Sequence, residues 1–236
     1  MKSHLKAEVQ SICAKYAIGK KAENWRYLRG GSSFVQQPCA GINLVVTPSF
    51  TYIERGLICL SQPKVNLHSA LFAAALGQVF EKPLEGPINF SLKSWSFIGP
   101  VVGAKLRERY FSYGTPSFID IDYPEVSAEM GYFQTEELPD YLDLVLDAAL
   151  TVVRNKYDLT SERNFLASLP TRLELHYPFA SHRLGPQVTF AVLDLMRGNR
   201  NAVTDLRAAW DYPIAPAHDR YLCELKAAAD RIIPLA

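Results

Sequence analysis

The sequence predicts an α+β protein: one antiparallel sheet, drawn mainly from residues 24–123, covered by helices, with a helix-rich C-terminal third. Three observations carry this expectation. Between Asn24 and Tyr123, short β-branched and aromatic runs alternate with period two and are punctuated by Gly, Pro and Ser. In the last third, apolar residues recur at three- and four-residue spacings, with prolines at the starts and a glycine past one end. Strand-rich and helix-rich halves, rather than strict βαβ alternation, define the class.

The elements follow in order. Leu5, Val9, Ile12 and Tyr16 are spaced by four, three and four, so residues 3–17 form an amphipathic helix that Gly19 stops. Trp25, Tyr27, Phe34 and Val35 flank Gly30-Gly31-Ser32-Ser33, a hairpin over Asn24–Val35. Ile42–Thr47 and Tyr52–Leu60 are the next strands, joined near Pro48-Ser49, and Pro63 closes the second. Asn66 caps a helix over Leu67–Phe80, with Leu71, Phe72, Ala75 and Val79 toward the core and Gly77 as its weak point. Glu81–Pro87 breaks structure; Ile88, Phe90 and Leu92 then alternate with polar residues as a half-buried strand.

Val101–Phe111 reads as a helix and Ser117–Tyr123 as a strand, with Asp120 and Asp122 on its polar face. The helix over 139–155 is the best specified element. Pro139 stands in its first turn, Leu142, Val145, Leu146, Ala149 and Val153 form its apolar stripe, and its end charges oppose the helix dipole. Thr160 or Ser161 caps a short helix ending near Leu169-Pro170, and Thr171–Tyr177 alternates as a strand. Pro186 opens a helix to Arg197 with Gly198 beyond it, Asn201–Trp210 is another, and Pro216 opens the last, with Leu222, Leu225, Ala229 and Ile232 on one face.

The 236 residues suit a single domain with a soft division near residue 135, between sheet-rich and helix-rich parts. The composition, 48% hydrophobic and 21% charged, is that of a globular protein. Met1-Lys2-Ser3-His4-Leu5-Lys6 is followed by no apolar run of signal-peptide length, and the longest apolar stretch is Ala70–Leu76. A cytoplasmic protein without a membrane partner is therefore expected. Cys13, Cys39, Cys59 and Cys223 are isolated, which removes CxxC patterns and reads as small buried hydrophobes, Cys59 between Ile58 and Leu60 above all.

The net charge of +1 conceals a separation. Between Tyr110 and Val153 there is no Lys or Arg, against nine acids: Asp120, Asp122, Glu125, Glu129, Glu136, Glu137, Asp140, Asp143 and Asp147. Tyr123, Met130, Tyr132, Phe133 and Tyr141 are interleaved with them. Phosphates would be repelled there, whereas a basic protein would be steered in and anchored on the aromatics. The bland alternative is an acidic loop plus a helix start that complements its dipole. The rival patch is N-terminal: Lys2, Lys6, Lys15, Lys20, Lys21, Arg26 and Arg29 with Trp25 and Tyr27 could hold RNA through charge and stacking. The balanced overall charge speaks against a dedicated nucleic-acid binder, and a solvated basic helix face is the simpler reading.

Catalytic patterns are thin. Gly30-Gly31-Ser32-Ser33 lacks the spacing and lysine of a phosphate loop, and neither GxSxG nor HExxH occurs. Glu174, His176 and His182 could bind zinc with a position left for water, and Asp120 with Asp122 could hold a divalent cation or act as acid and base. Exposed loop histidines and a solvated polar face are the simpler readings of both. No catalytic residue, metal or cofactor is assigned.

Asn24-Trp25-Arg26-Tyr27-Leu28-Arg29-Gly30, followed by Ser33-Phe34-Val35, resembles the opening of a loose class of small uncharacterised bacterial proteins. Several of these sit beside toxin genes and are suspected immunity proteins. The resemblance covers Leu5–Thr47 and transfers no functional residue. It implies an N-terminal helix, a W-R-x-L strand, a sheet and C-terminal helices, and inhibitor-type binding as a first guess. The reading taken forward is a non-enzymatic binding protein that neutralises a cognate basic partner or toxin. Asp120, Asp122, Glu125, Glu129, Glu136 and Glu137 would steer it, and Tyr132 and Phe133 would anchor it. The alternatives are a metal-dependent hydrolase using Asp120/Asp122 or Glu174/His176/His182, and a structural subunit of a bacterial or phage assembly.

Overall fold

The hairpin around Gly30-Gly31 forms because the chain can turn left-handed at its exit. The computed structural model describes residues 2–20, 23–52, 57–79, 90–92, 132–169, 191–208 and 216–235. In it β1 (Arg26–Leu28) runs antiparallel to β2 (Ser33–Cys39), with Leu28 opposite Ser33 and Tyr27 opposite Phe34. One 3-10 turn, Arg29–Gly31, joins them, and Ser32 takes φ 47° to bring the chain back into extended form. These glycines thus build a turn.

β3 (Ile42–Tyr52) and β4 (Leu57–Ser69) continue the sheet in the order β1-β2-β3-β4-β5, with β5 (Phe90–Leu92) last. β6 (Tyr132–Gln134) also pairs with β4: Leu57 stands opposite Gln134 and Cys59 opposite Tyr132, while β5 takes Val65–Leu67. Both middle strands are longer than expected, because neither proline ends its strand. Pro48 lies one residue beyond Thr47, whose hydroxyl meets that of Ser33, the first residue of β2. Pro63 lies between the stretches of β4 that pair with β6 and β5.

The helix expected from Leu67 begins later. β4 runs on through Ser69, and α2 is Ala70–Val79. Ser69 rather than Asn66 is its cap, with Oγ accepting from Phe72 N at 3.0 Å. Val65, Leu67 and Ser69 are buried in alternation with the half-buried Asn66 and His68, the period of a strand.

Among the described residues, two helices lie against this sheet. α1 (Lys2–Gly19) contacts β1 and β3, α3 (Leu138–Lys156) contacts β3, and the two touch each other. Leu5, Val9, Cys13 and Ala17 are the buried stripe of α1, so Cys13 takes the place expected for Ile12. On β3, Ile42, Leu44 and Val46 are fully buried. Aromatic pairs bridge the layers: Tyr16 meets Phe34 edge-on at 5.9 Å, and Tyr141 meets Phe50 at the same centroid distance. α3 buries the whole stripe expected of it, including Leu142, Val145 and Ala149 at zero exposure. Each such leucine or valine contributes about 1.5–3 kcal/mol by leaving water.

The described chain gathers into two compact units. The first comprises Met1–Pro38, Ile42–Leu67 and Phe90–Lys156, and the second Cys39–Gly41, His68–Asn89 and Tyr157–Ala236. The second contains α2, α4 (Glu162–Ser168), α5 (residues 191–196), α6 (Ala202–Ala208) and α7 (Pro216–Ala228), which makes the C-terminal third helix-rich as expected. Ser161 caps α4, its Oγ accepting from Asn164 N at 3.1 Å. At the other end, the Arg197 guanidinium donates to the carbonyls of Leu166 (2.8 Å), Ala167 and Leu169, closing the orphan acceptors of the last turn. Leu222 and Leu225 are buried on the last helix as expected, but Ala228 is buried in place of Ala229, where a 3-10 turn starts, and Ile232 is buried just past that turn rather than on the helix. The expected elements at Val101–Phe111, Ser117–Tyr123 and Thr171–Tyr177 lie outside the described residues. Among the described residues, no helix is long and apolar enough to cross a membrane.

Candidate functional site

The acidic segment enters the described structure at β6 and the start of α3. Gln134-Thr135-Glu136-Glu137 forms a tight entry: a 3-10 turn over Thr135–Glu137 leads directly into the helix. The Glu137 carboxylate accepts from Gln134 N at 2.9 Å, the reciprocal arm of a capping box. Thr135 is buried and its hydroxyl donates to Glu8 of α1 at 3.1 Å. Glu136, Glu137 and Asp140 are all exposed, at the end of the helix where the dipole favours anions. Asp143 and Asp147 follow at i+3 and i+7 from Asp140, which extends the acidic face along the helix.

The base missing from this stretch of sequence arrives from the residue just past the end of α1. Lys20 Nζ stands 2.7 Å from Asp143 Oδ1 and 3.0 Å from Glu23 Oε1, and its ammonium lies 5.9 Å from the centroid of the Tyr16 ring. The Tyr16 hydroxyl donates to the same Asp143 oxygen at 2.6 Å. Two donors therefore converge on one carboxylate oxygen. Partial burial works against the charge on Asp143, but the hydrogen bonds from Lys20 and Tyr16 outweigh it and hold the carboxyl below its ordinary range. Lys20 is raised, chiefly by its hydrogen bond to Asp143. Burial raises Tyr16, and its bond to Asp143 adds to that, so the phenol stays protonated and donating. The Asp143 side chain is 46% exposed, so the cluster ties α1 to α3 modestly rather than acting as a buried ion pair.

The expected site residues divide accordingly. Asp120, Asp122, Glu125 and Glu129 lie outside the described residues, as do Glu174, His176 and His182. Tyr132 and Phe133 lie on β6 with backbones opposite Cys59 and Ile58, and their side chains also fall outside the description. Glu136 and Glu137 are exposed beside each other, but Glu137 has a structural task in the helix entry. Sequence reasoning missed Glu8, Tyr16 and Lys20 as neighbours of this face. The i, i+4 spacing of Tyr16 and Lys20 across the end of α1 was visible, but their meeting with Asp143, 127 residues from Tyr16, had no local signal.

The rival basic patch loses one of its two aromatic rings. Trp25 is only 2% exposed, and the Tyr27 ring packs on Phe34 with centroids 5.1 Å apart. The buried Trp25 ring is not presented to a nucleic-acid base, Tyr27 is half-buried, and Lys20 is engaged with Asp143 and Glu23. Of the cysteines, Cys13 is fully enclosed and burial pushes its thiol up to about 12, whereas Cys223 is exposed, contrary to the expectation of a buried hydrophobe. Among the described residues, no three His, Cys, Asp or Glu side chains gather as a metal ion would require. Compared with protein-family models, with curated proteins and with solved structures, the chain matches none.

Proposed function

We propose that this chain is a non-enzymatic, cytoplasmic binding protein that neutralises a basic protein partner, docking it on the acidic segment between residues 120 and 147. The observation that carries the reading is the run of nine acids without one Lys or Arg, whose described part presents Glu136, Glu137 and Asp140 to solvent together. Exposed carboxylates of one sign raise the encounter rate with a cationic partner and suppress wrong ones. Tyr132 and Phe133 supply the aromatic type that anchors interfaces. The N-terminal resemblance implies inhibitor-type binding, and the sign of the acidic segment implies that the partner is basic.

The test begins with affinity capture from the source cell, eluted at low and high salt, to obtain the partner. Its association rate is then measured against the native chain and against the triple reversal Asp120→Lys, Asp122→Lys, Glu125→Lys. The proposal expects a basic partner bound one to one, an association rate at least roughly tenfold slower for the variant, and a flattened salt dependence. An unchanged rate and salt slope would remove the acidic segment from the interface.

A further inference from the structure

We draw no further inference here: the strongest candidate, the exposed apolar side chains of Ile18 at the end of α1 and Leu28 on the edge strand β1, has nothing in the structure to show what covers it.

Discussion

Replacing Gly41 with alanine should destabilise the protein through two costs that can be measured separately. Gly41 is the second residue of the two-residue link between β2 and β3 and holds φ 84°, a conformation that costs an alanine about 1–2 kcal/mol. The second cost comes from Glu162. A Cβ on Gly41 would overlap its carboxylate, which accepts from Ser69 Oγ at 2.7 Å and from Leu71 N at 2.8 Å. Gly41 also accepts through its own carbonyl from Ala70 N at 3.0 Å, so the turn cannot easily retreat. Moving the carboxylate gives up both of its bonds, worth together about 1–2 kcal/mol at this partly exposed position. The expected total is therefore about 2–4 kcal/mol.

Glu162→Ala alone should cost about 1–2 kcal/mol, the same two bonds. In the double variant the overlap has no partner, and Gly41→Ala should then add only the backbone cost of about 1–2 kcal/mol. The coupling between the sites is thus about 1–2 kcal/mol, well above the scatter of independent pairs. Urea unfolding followed by circular dichroism, compared at equal m-value, supplies the four free energies. Additivity within about 0.5 kcal/mol would refute the close approach of Glu162 to Gly41.

The remaining expectations are simpler. Asp143 has a lowered carboxyl in the fold, so its contribution is present above the ordinary aspartate value of about 3.9 and fades as pH falls through the folded value; Asp143→Asn should lose on the order of 1 kcal/mol near neutral pH and show a shallower acid decline, read from unfolding free energies across pH 2–7. An acid limb identical to that of the native chain would contradict the Lys20–Asp143 tie. Arg197→Met strips three carbonyls at the end of α4 and should lower stability by about 2–3 kcal/mol, a fall in Tm of roughly 4–12 °C by calorimetry; a change under about 1 °C would show that water replaces the guanidinium at no cost. Under native conditions at pH 8 a maleimide should label Cys223 promptly and Cys13 only after unfolding, as read by peptide mass spectrometry, and equal rates would contradict the burial of Cys13.

What could be read from the sequence was whatever four or five neighbouring residues encode together. The α3 stripe, the Ser161 cap and the Gly30-Gly31 turn all belong to that kind, and all three are where they were expected. The errors came where tertiary pairing overrides a local stop signal. Pro48 and Pro63 look like strand ends, yet β3 runs on past Pro48 to Tyr52 and β4 past Pro63 to Ser69. Asn66 and Ser69 can both cap a helix, and the alternation Val65-Asn66-Leu67-His68-Ser69 was the clue that the strand continues to the later one. The same limit governs the site. Glu136 and Glu137 were legible as acids at a helix start, but the arrival of Lys20 at Asp143 joins residues 123 positions apart and leaves no periodicity to detect.

That arrival changes how the acidic segment should be weighed. Carboxylates in the first turn of α3 have a role within the fold: each stabilises the helix end by typically 0.3–1 kcal/mol, and Glu137 also closes the entry turn. Asp143 likewise serves the fold by holding α1. Glu137 and Asp143 are therefore weak witnesses for a partner, since a protein that bound nothing would keep them for stability. Asp120, Asp122 and Glu125 precede this helix in sequence by more than ten residues and are not among its first-turn acids. The case for docking consequently rests on them. Reversing Glu136 alone would mix an effect on the helix end with an effect on binding, whereas reversing the earlier acids changes no residue of the α3 entry and so tests the electrostatic steering that the proposal requires.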